Sequence, residues 1–230
     1  MLGFAIAYPN EGRSVNCRMG KAQCAHFTQL RGLLNLIPWA KRTIMKLGPS
    51  NRSDISLALI HLTGYRNGRL AIDLLMNLLS EQRIRASGNE GYIKGMQSAV
   101  CFTEMPLSSV HRLVESSRCS GHPYSCYGVA LHKSHAFSRG ARPVIYLPDD
   151  EAAWIPPEQK WRHVRFEHGE VDFTHEREWR SPGDFLLTGI GFYVIVGSRD
   201  CENRIRSYVP SVSLDNILGF IHMETICDFL

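Results

Sequence analysis

No stretch of this chain stays apolar for the roughly 20 residues that a membrane-spanning helix needs, so an integral helical membrane protein is not expected. The opening Met-Leu-Gly-Phe-Ala-Ile-Ala-Tyr-Pro lacks a basic segment and is short for a secretory signal. No Gly-x-Gly-x-x-Gly follows a predicted strand, which argues against a Rossmann-type nucleotide site. Internal repeats and low-complexity tracts are lacking as well. Cysteines number 7, an odd and scattered set, so a disulfide framework is not expected and a reducing compartment is. The excess of positive charge is only +4, with arginines spread along the chain, which permits contact with a polyanion without requiring it. What remains is expected to be a soluble, cytoplasmic protein of 230 residues, enough for one large domain or a domain with an added arm.

The first fifty residues give little pattern. Ala25 to Ile44 reads as helix, with Leu30, Leu33, Leu34, Ile37 and Trp39 apolar and Pro38 interrupting. Gly48 to Asn51 is turn chemistry, so residues 1–52 are expected as an N-terminal helical arm and 53–230 as the main domain. From Ile55 to Thr63 an apolar strand is predicted. A turn over Gly64 to Gly68 follows, with Asn67 capping a helix that carries Leu70, Leu74, Leu75, Leu78 and Leu79. Arg83 to Gly91 reads as a polar loop. Ser98 to Thr103, Tyr127 to Leu131, Pro143 to Leu147, Phe185 to Leu187 and Phe192 to Val196 read as short strands, with helices after Glu104 and near Asn203. Strands outnumber helices in this half, so an α+β fold with a mixed or antiparallel sheet is expected.

Val171 to Arg180 is the densest polar stretch. Read as an extended strand, it sets His175, Arg177 and Trp179 on one face and Glu176, Glu178 and Arg180 on the other. Two carboxylates on one face suit general-base work or stabilisation of a forming cation. The structural alternative is a solvated edge strand with cross-strand ion pairs. Further polar clusters close other strands: His61 with Thr63, and Phe102-Thr103-Glu104. Cys119, His122 and Cys126 offer zinc-capable side chains without a fourth nearby, so this segment reads as a loop and no metal site is expected.

In chain order, His61-Leu62-Thr63, Val100-Cys-Phe-Thr-Glu-Met-Pro-Leu107, Arg142-Pro-Val-Ile-Tyr146 and Asp172 to Arg180 resemble the AbiGi-like group of abortive phage infection proteins. More distantly the chain is similar to the ADP-ribosyltransferase superfamily, including the DNA-modifying DarT-like toxins. The likeness runs from about Ser53 to Val196. It implies a split sheet with flanking helices that holds NAD as a substrate. Carried over, His61 and Thr63 bind the cofactor's ribose or nicotinamide side, Phe102 and Thr103 form the central element, and Glu178 is the catalytic carboxylate. Glu176-Arg-Glu178 also matches the Glu-x-Glu of arginine-modifying members, in which the first Glu helps the acceptor. Arg66, Arg69, Arg83 and Arg85 are the candidates for the diphosphate. His26-Phe-Thr28 repeats part of the first motif and makes His26 a rival to His61. Arginine-modifying members open with Arg where His61 stands, and His-type members carry a Tyr not found at Phe102, so the acceptor class stays open.

These readings favour a transferase that breaks the nicotinamide–ribose bond and passes ADP-ribose to nucleic acid or protein, as a toxin or phage-defence effector with a cognate antitoxin as a further partner. A fixed carboxylate would stabilise the oxocarbenium-like sugar. Two alternatives stand beside it. One is a nuclease using Asp172, Glu176 and Glu178 to hold Mg²⁺; the other is a non-catalytic toxin–antitoxin binding partner.

Overall fold

A computed structural model describes residue 54 and residues 56–65, 68–88, 92–120 and 125–227, with 116–120 and 227 through their backbone only. The arm over 1–52 with its expected helix, His26, Arg66, the Asn67 cap, residues 89–91 of the arginine loop and residues 121–124 of the Cys119–Cys126 segment lie outside the described residues.

Strand β1 (Ala58–Thr63) leads to helix α1 (Ala71–Glu81), the short β2 (Arg83–Ile84), β3 (Ala99–Thr103), helix α2 (Leu107–Ser120), β4 (Tyr127–His132) and helix α3 (Lys133–Ser138). There follow β5 (Arg142–Pro143), β6 (Ile145–Leu147), β7 (His163–Arg165), β8 (Glu178–Pro182), β9 (Phe185–Leu186) and β10 (Phe192–Val196). Helix α4 (Arg199–Tyr208), β11 (Ile217–His222) and helix α5 (Met223–Cys227) complete the described chain. The fold is α+β. Its main sheet has 7 strands in the order β11-β10-β4-β1-β3-β8-β5, and β2 with β9 and β6 with β7 form separate pairs. The sheet is mixed, because β10 and β11 run parallel while the other neighbours run antiparallel.

Apolar alternation puts a core on each side of the sheet. Leu59, Phe102, Val129, Leu131 and Val194 pack with Leu75 and Leu79 of α1 and Ile205 of α4. Ile60, Ala130 and Ile195 meet Val110 and Val114 of α2 and Met223 of α5 on the other. Each such fully buried side chain contributes about 1.5–3 kcal/mol. Helix α1 takes Leu70 as its N-cap without a side-chain bond, so the expected Leu70 on the apolar face is corrected: it lies 55% exposed, and Ile72 and Met76 take that place. The Pro143 to Leu147 run is divided between two sheets, because β5 pairs with β8 and β6 with β7. The polar connection through Phe137 holds a helix, α3, with His132 at its N-cap accepting from the Ser134 N–H.

Between β1 and β3 the ladder is short. The printed pairing is a single register position, Ile60 opposite Thr103, whereas β1 and β4 pair from Ala58 to Thr63. Beyond Ile60 the His61 imidazole bridges the seam, with Nδ1 2.8 Å from the Cys101 carbonyl oxygen. On the β4 side the strands press close: a Cβ at Gly128 would stand 2.1 Å from the His61 carbonyl oxygen. Gly128→Ala is therefore expected to force β1 and β4 apart and destabilise the fold by about 3 kcal/mol, read by denaturant unfolding. A change under ~0.5 kcal/mol would mean that the strands slide without cost.

Candidate functional site

The segment before β8 is not an extended strand. Thr174–Glu176 is one turn of 3-10 helix, and Arg177 adopts φ 47°, a left-handed conformation uncommon for a side-chain-bearing residue. The expected strand through Val171 to Arg180 is corrected accordingly. The strand begins at Glu178, and Glu176 and Glu178 are not one pleat apart on a shared face. The turn is held from several sides. Asp172 Oδ1 accepts from the Thr174 N–H at 2.8 Å and its hydroxyl at 2.6 Å, which holds the Asp172 carboxyl below its ordinary range. Thr103 Oγ1 donates to the Glu176 carbonyl, and the Glu104 N–H donates to the Arg177 carbonyl at 3.2 Å. The Tyr146 hydroxyl donates to the Phe173 carbonyl at 3.2 Å and accepts from the Glu178 N–H at 3.0 Å; burial pushes its pKa up to about 12. The Arg177 guanidinium pairs with Asp54 at 2.8 Å.

Register decides which side chains can meet. Thr103 is opposite Glu178 and Cys101 opposite Arg180, so these four share one face. Ile60, opposite Thr103, lies on that face too, and alternation turns its neighbour His61 to the other. There His61 meets Phe102 edge to face with ring centroids 5.9 Å apart, and Phe102 has Trp179 as its cross-strand partner. The sequence-predicted set is therefore divided. His61 and Phe102 lie on one face with Thr63, and Thr103 and Glu178 lie on the other.

On the Glu178 face, Arg180 is the dominant group. Its side chain is 1% exposed, and Glu178 takes it in a two-point ion pair at 2.7 and 3.1 Å. The remaining guanidinium nitrogen donates to the carbonyls of Trp161 at 2.8 Å, His163 at 3.2 Å and Tyr92 at 3.4 Å. Cys101 lies half-buried beside this pair. Burial pushes its thiol pKa up, the Glu178 charge adds to that, and a nucleophilic role is disfavoured.

The opposite face holds a carboxylate that the residues alone place only in a polar cluster closing a strand. Glu104, just past β3, accepts from the Trp179 indole N–H at 2.8 Å and pairs with Lys133 of α3. Lys133 also stands 5.7 Å from the centre of the Trp179 ring. The phase of β3 carried this signal, since Phe102 and Glu104 are two residues apart. The partner Lys133 was hidden because its short helix is capped by His132, which is not among the usual N-cap residues.

Two of the arginines expected at a diphosphate are engaged locally. Arg83 pairs with Asp184 at 3.3 Å, and Arg85 holds Glu81 at 2.9 and 3.0 Å, both at the surface. Arg69 lines a recess of about 280 Å³ with Asp73, Met76, Asn77, Arg204 and Tyr208, between α1 and α4. None of these three arginines is joined to Glu178 or His61. Among the described residues no group of His, Cys, Asp or Glu is placed to hold a metal ion, and no helix is long and apolar enough to cross a membrane. Protein-family models, curated proteins and solved structures yield no match to this chain.

Two outcomes follow from this geometry. Arg180→Met should cost about 3–5 kcal/mol because it leaves Glu178 charged in a closed environment, and adding Glu178→Gln should recover part of that loss. Equal unfolding midpoints for the single and double variants would mean that the pair is not electrostatically coupled. The second outcome concerns His61, whose pKa is lowered from 6.5 by burial, with the Cys101 carbonyl opposing. Above pH 6.5 its stabilising effect is complete; as pH falls below that, the unfolded chain takes up a proton that the folded ring resists, and stability declines. His132 is also lowered by burial, with His135 and Lys133 adding, so the readout is a difference. His61→Gln should flatten the fall in unfolding free energy between pH 6.5 and 5.5, by up to ~1.4 kcal/mol per pH unit. Parallel pH curves for parent and variant would show that the ring is solvated.

Proposed function

We propose that this protein is an NAD-consuming ADP-ribosyltransferase, with phage defence or toxin action as its setting and a nucleic acid or protein as acceptor. The observation that carries the reading is the β1–β3 seam. There the ladder gives way to a histidine bridge, and His61, Phe102, Trp179 and Glu104 follow one another across one face. A half-buried histidine and an anchored carboxylate on a single face suit the ribose side of NAD. The carboxylate would face the positive charge that develops as the glycosidic bond breaks, while Phe102 is buried in the core and packs edge to face on His61. On this reading Glu104, not Glu178, is the carboxylate that works with His61, because Glu178 lies on the other face; each acid has its own cation, Arg180 for Glu178 and Lys133 for Glu104.

A second reading is a non-catalytic binding partner, favoured by the internal engagement of Glu178, Asp172 and Glu104 with donors of the same chain. The nuclease alternative is the weakest, since Asp172 is turned onto Thr174 and Glu178 onto Arg180.

The test is nicotinamide release from NAD in the absence of added metal, with labelled NAD offered to separate pools of cell protein and nucleic acid. The parent chain should release nicotinamide, and Glu104→Gln should slow it roughly a hundredfold. The double variant Glu178→Gln/Arg180→Met should retain most of the rate if it folds. Loss in the double variant alone would return the catalytic role to Glu178. A parent protein that neither binds nor cleaves NAD fits the binding-partner reading instead.

A further inference from the structure

A cluster that the NAD reading does not use lies where β10 passes through Gly197 into α4. Ser198 caps the helix, its hydroxyl accepting from the Cys201 N–H at 3.5 Å. Cys201 Sγ lies 3.4 Å from the Ser198 hydroxyl and 3.3 Å from the Tyr127 hydroxyl. The neighbour of Tyr127 in the chain, Cys126, brings its sulfur to the same place. A Cβ on Gly197 would stand 3.2 Å from Cys126 Sγ, 3.5 Å from the Tyr127 oxygen and 3.9 Å from Cys201 Sγ. Two thiols and a phenol thus surround one small space that the absent side chain of Gly197 leaves open. Both cysteines are half-buried, as is Cys101, which differs in lying beside the Glu178–Arg180 pair, where burial and the Glu178 charge push its thiol pKa up.

The surroundings separate the two sulfurs in reactivity. Cys201 stands in the first turn of α4, where the helix N-terminus favours an anion. Burial pushes its pKa up, but the hydrogen bonds from Ser198 and Tyr127 outweigh this and leave it below the ordinary value. The Tyr127 hydroxyl is itself driven up by burial, so it stays protonated and donates to a thiolate.

We propose that Cys201 is a peroxide-reactive thiol and that Cys126 resolves it into an intramolecular disulfide. The Cys201 thiolate attacks one oxygen of hydrogen peroxide and the O–O bond breaks. Sulfur is oxidised to the sulfenic acid, and the other oxygen leaves as hydroxide and takes a proton to become water. The Cys126 thiolate then attacks the Cys201 sulfur and displaces hydroxide, which leaves as a second water with the proton Cys126 gave up. Two thiols lose two electrons and two protons in all, and one peroxide becomes two waters. The disulfide would tighten the start of β4. There the Ser125 hydroxyl donates to the Thr63 carbonyl and the Thr63 hydroxyl donates to the Tyr127 carbonyl at 3.1 Å, so the change reaches the end of β1.

The experiment is independent of any activity on NAD. The reduced full-length chain is treated with hydrogen peroxide, digested without reductant, and mapped by mass spectrometry. The expected product is a cross-linked peptide joining Cys126 to Cys201 and lighter by two hydrogens. Cys126→Ser should instead accumulate a sulfenic acid at Cys201, trapped by dimedone, and Cys201→Ser should give neither product. At pH 7, Cys201 in the parent chain should react with iodoacetamide at least about tenfold faster than Cys101. No oxidation at Cys201, or a cross-link that joins it to a different cysteine, overturns the proposal. So does a dimedone adduct on Cys126 in the Cys201→Ser chain as abundant as the one expected on Cys201.

Discussion

A guanidinium sealed inside the protein sets the terms for the β3–β8 half of the fold. Taking such a charge out of water is costly, of the order of several kcal/mol even after relaxation. Arg180 offsets that by placing its donors on partners from four segments: the carboxylate of Glu178, the carbonyls of Trp161 and His163, and the carbonyl of Tyr92. Those segments have little else in common. The Tyr92 loop and the 3-10 helix Pro157–Arg162 bring their own apolar side chains, Ile93 and Trp161, to cover Ala99 and Cys101 on the same face. The ion pair therefore acts as a template: β8 is fixed against β3 by backbone pairing and against the covering loops by one side chain.

Glu178 changes meaning in that setting. Read along the chain, a Glu-Arg-Glu run next to Trp suggests an exposed pair of acids. In space, the residue between them takes a left-handed turn and the second acid faces inward. The turn needs Asp172, Thr103 and Tyr146 to hold it, and these are 6, 75 and 32 residues from Glu178 in sequence or register partner across the sheet.

What could be read from the residues was whatever depends on local pattern. The α+β class, strands at β1, β3, β4 and β10, and helices α1, α2 and α4 are visible because apolar alternation and helical spacing are local. The interruption at Arg177 was not, since a left-handed Arg has no composition signature and is imposed by its neighbours in space. Nor was the division of His61 from Glu178, which rests on the Ile60–Thr103 register, a property of two strands and not of either. Glu104 was visible as a polar residue closing a strand, while its bond to the Trp179 indole depends on the phase of a second strand. The parallel strand β11 was not legible because it pairs with β10 only across the intervening α4, and no local pattern carries a crossover pairing.

The strand order has a kinetic meaning. The central strand, β1, is made first, and its two neighbours, β4 and β3, are complete by His132. The strands outside them, β10 and β8, come later in the chain, and the parallel edge strand β11 comes last. A ribosome releasing this chain from its N-terminus thus exposes the middle of the sheet before most of its flanks, and β8, β10 and β11 each find a formed edge to add to, while the short β5 waits for β8. Growth outward from a preassembled centre keeps each loop closure from being attempted against an unformed partner. The late arrival of Arg180 then seals a face that is already in place.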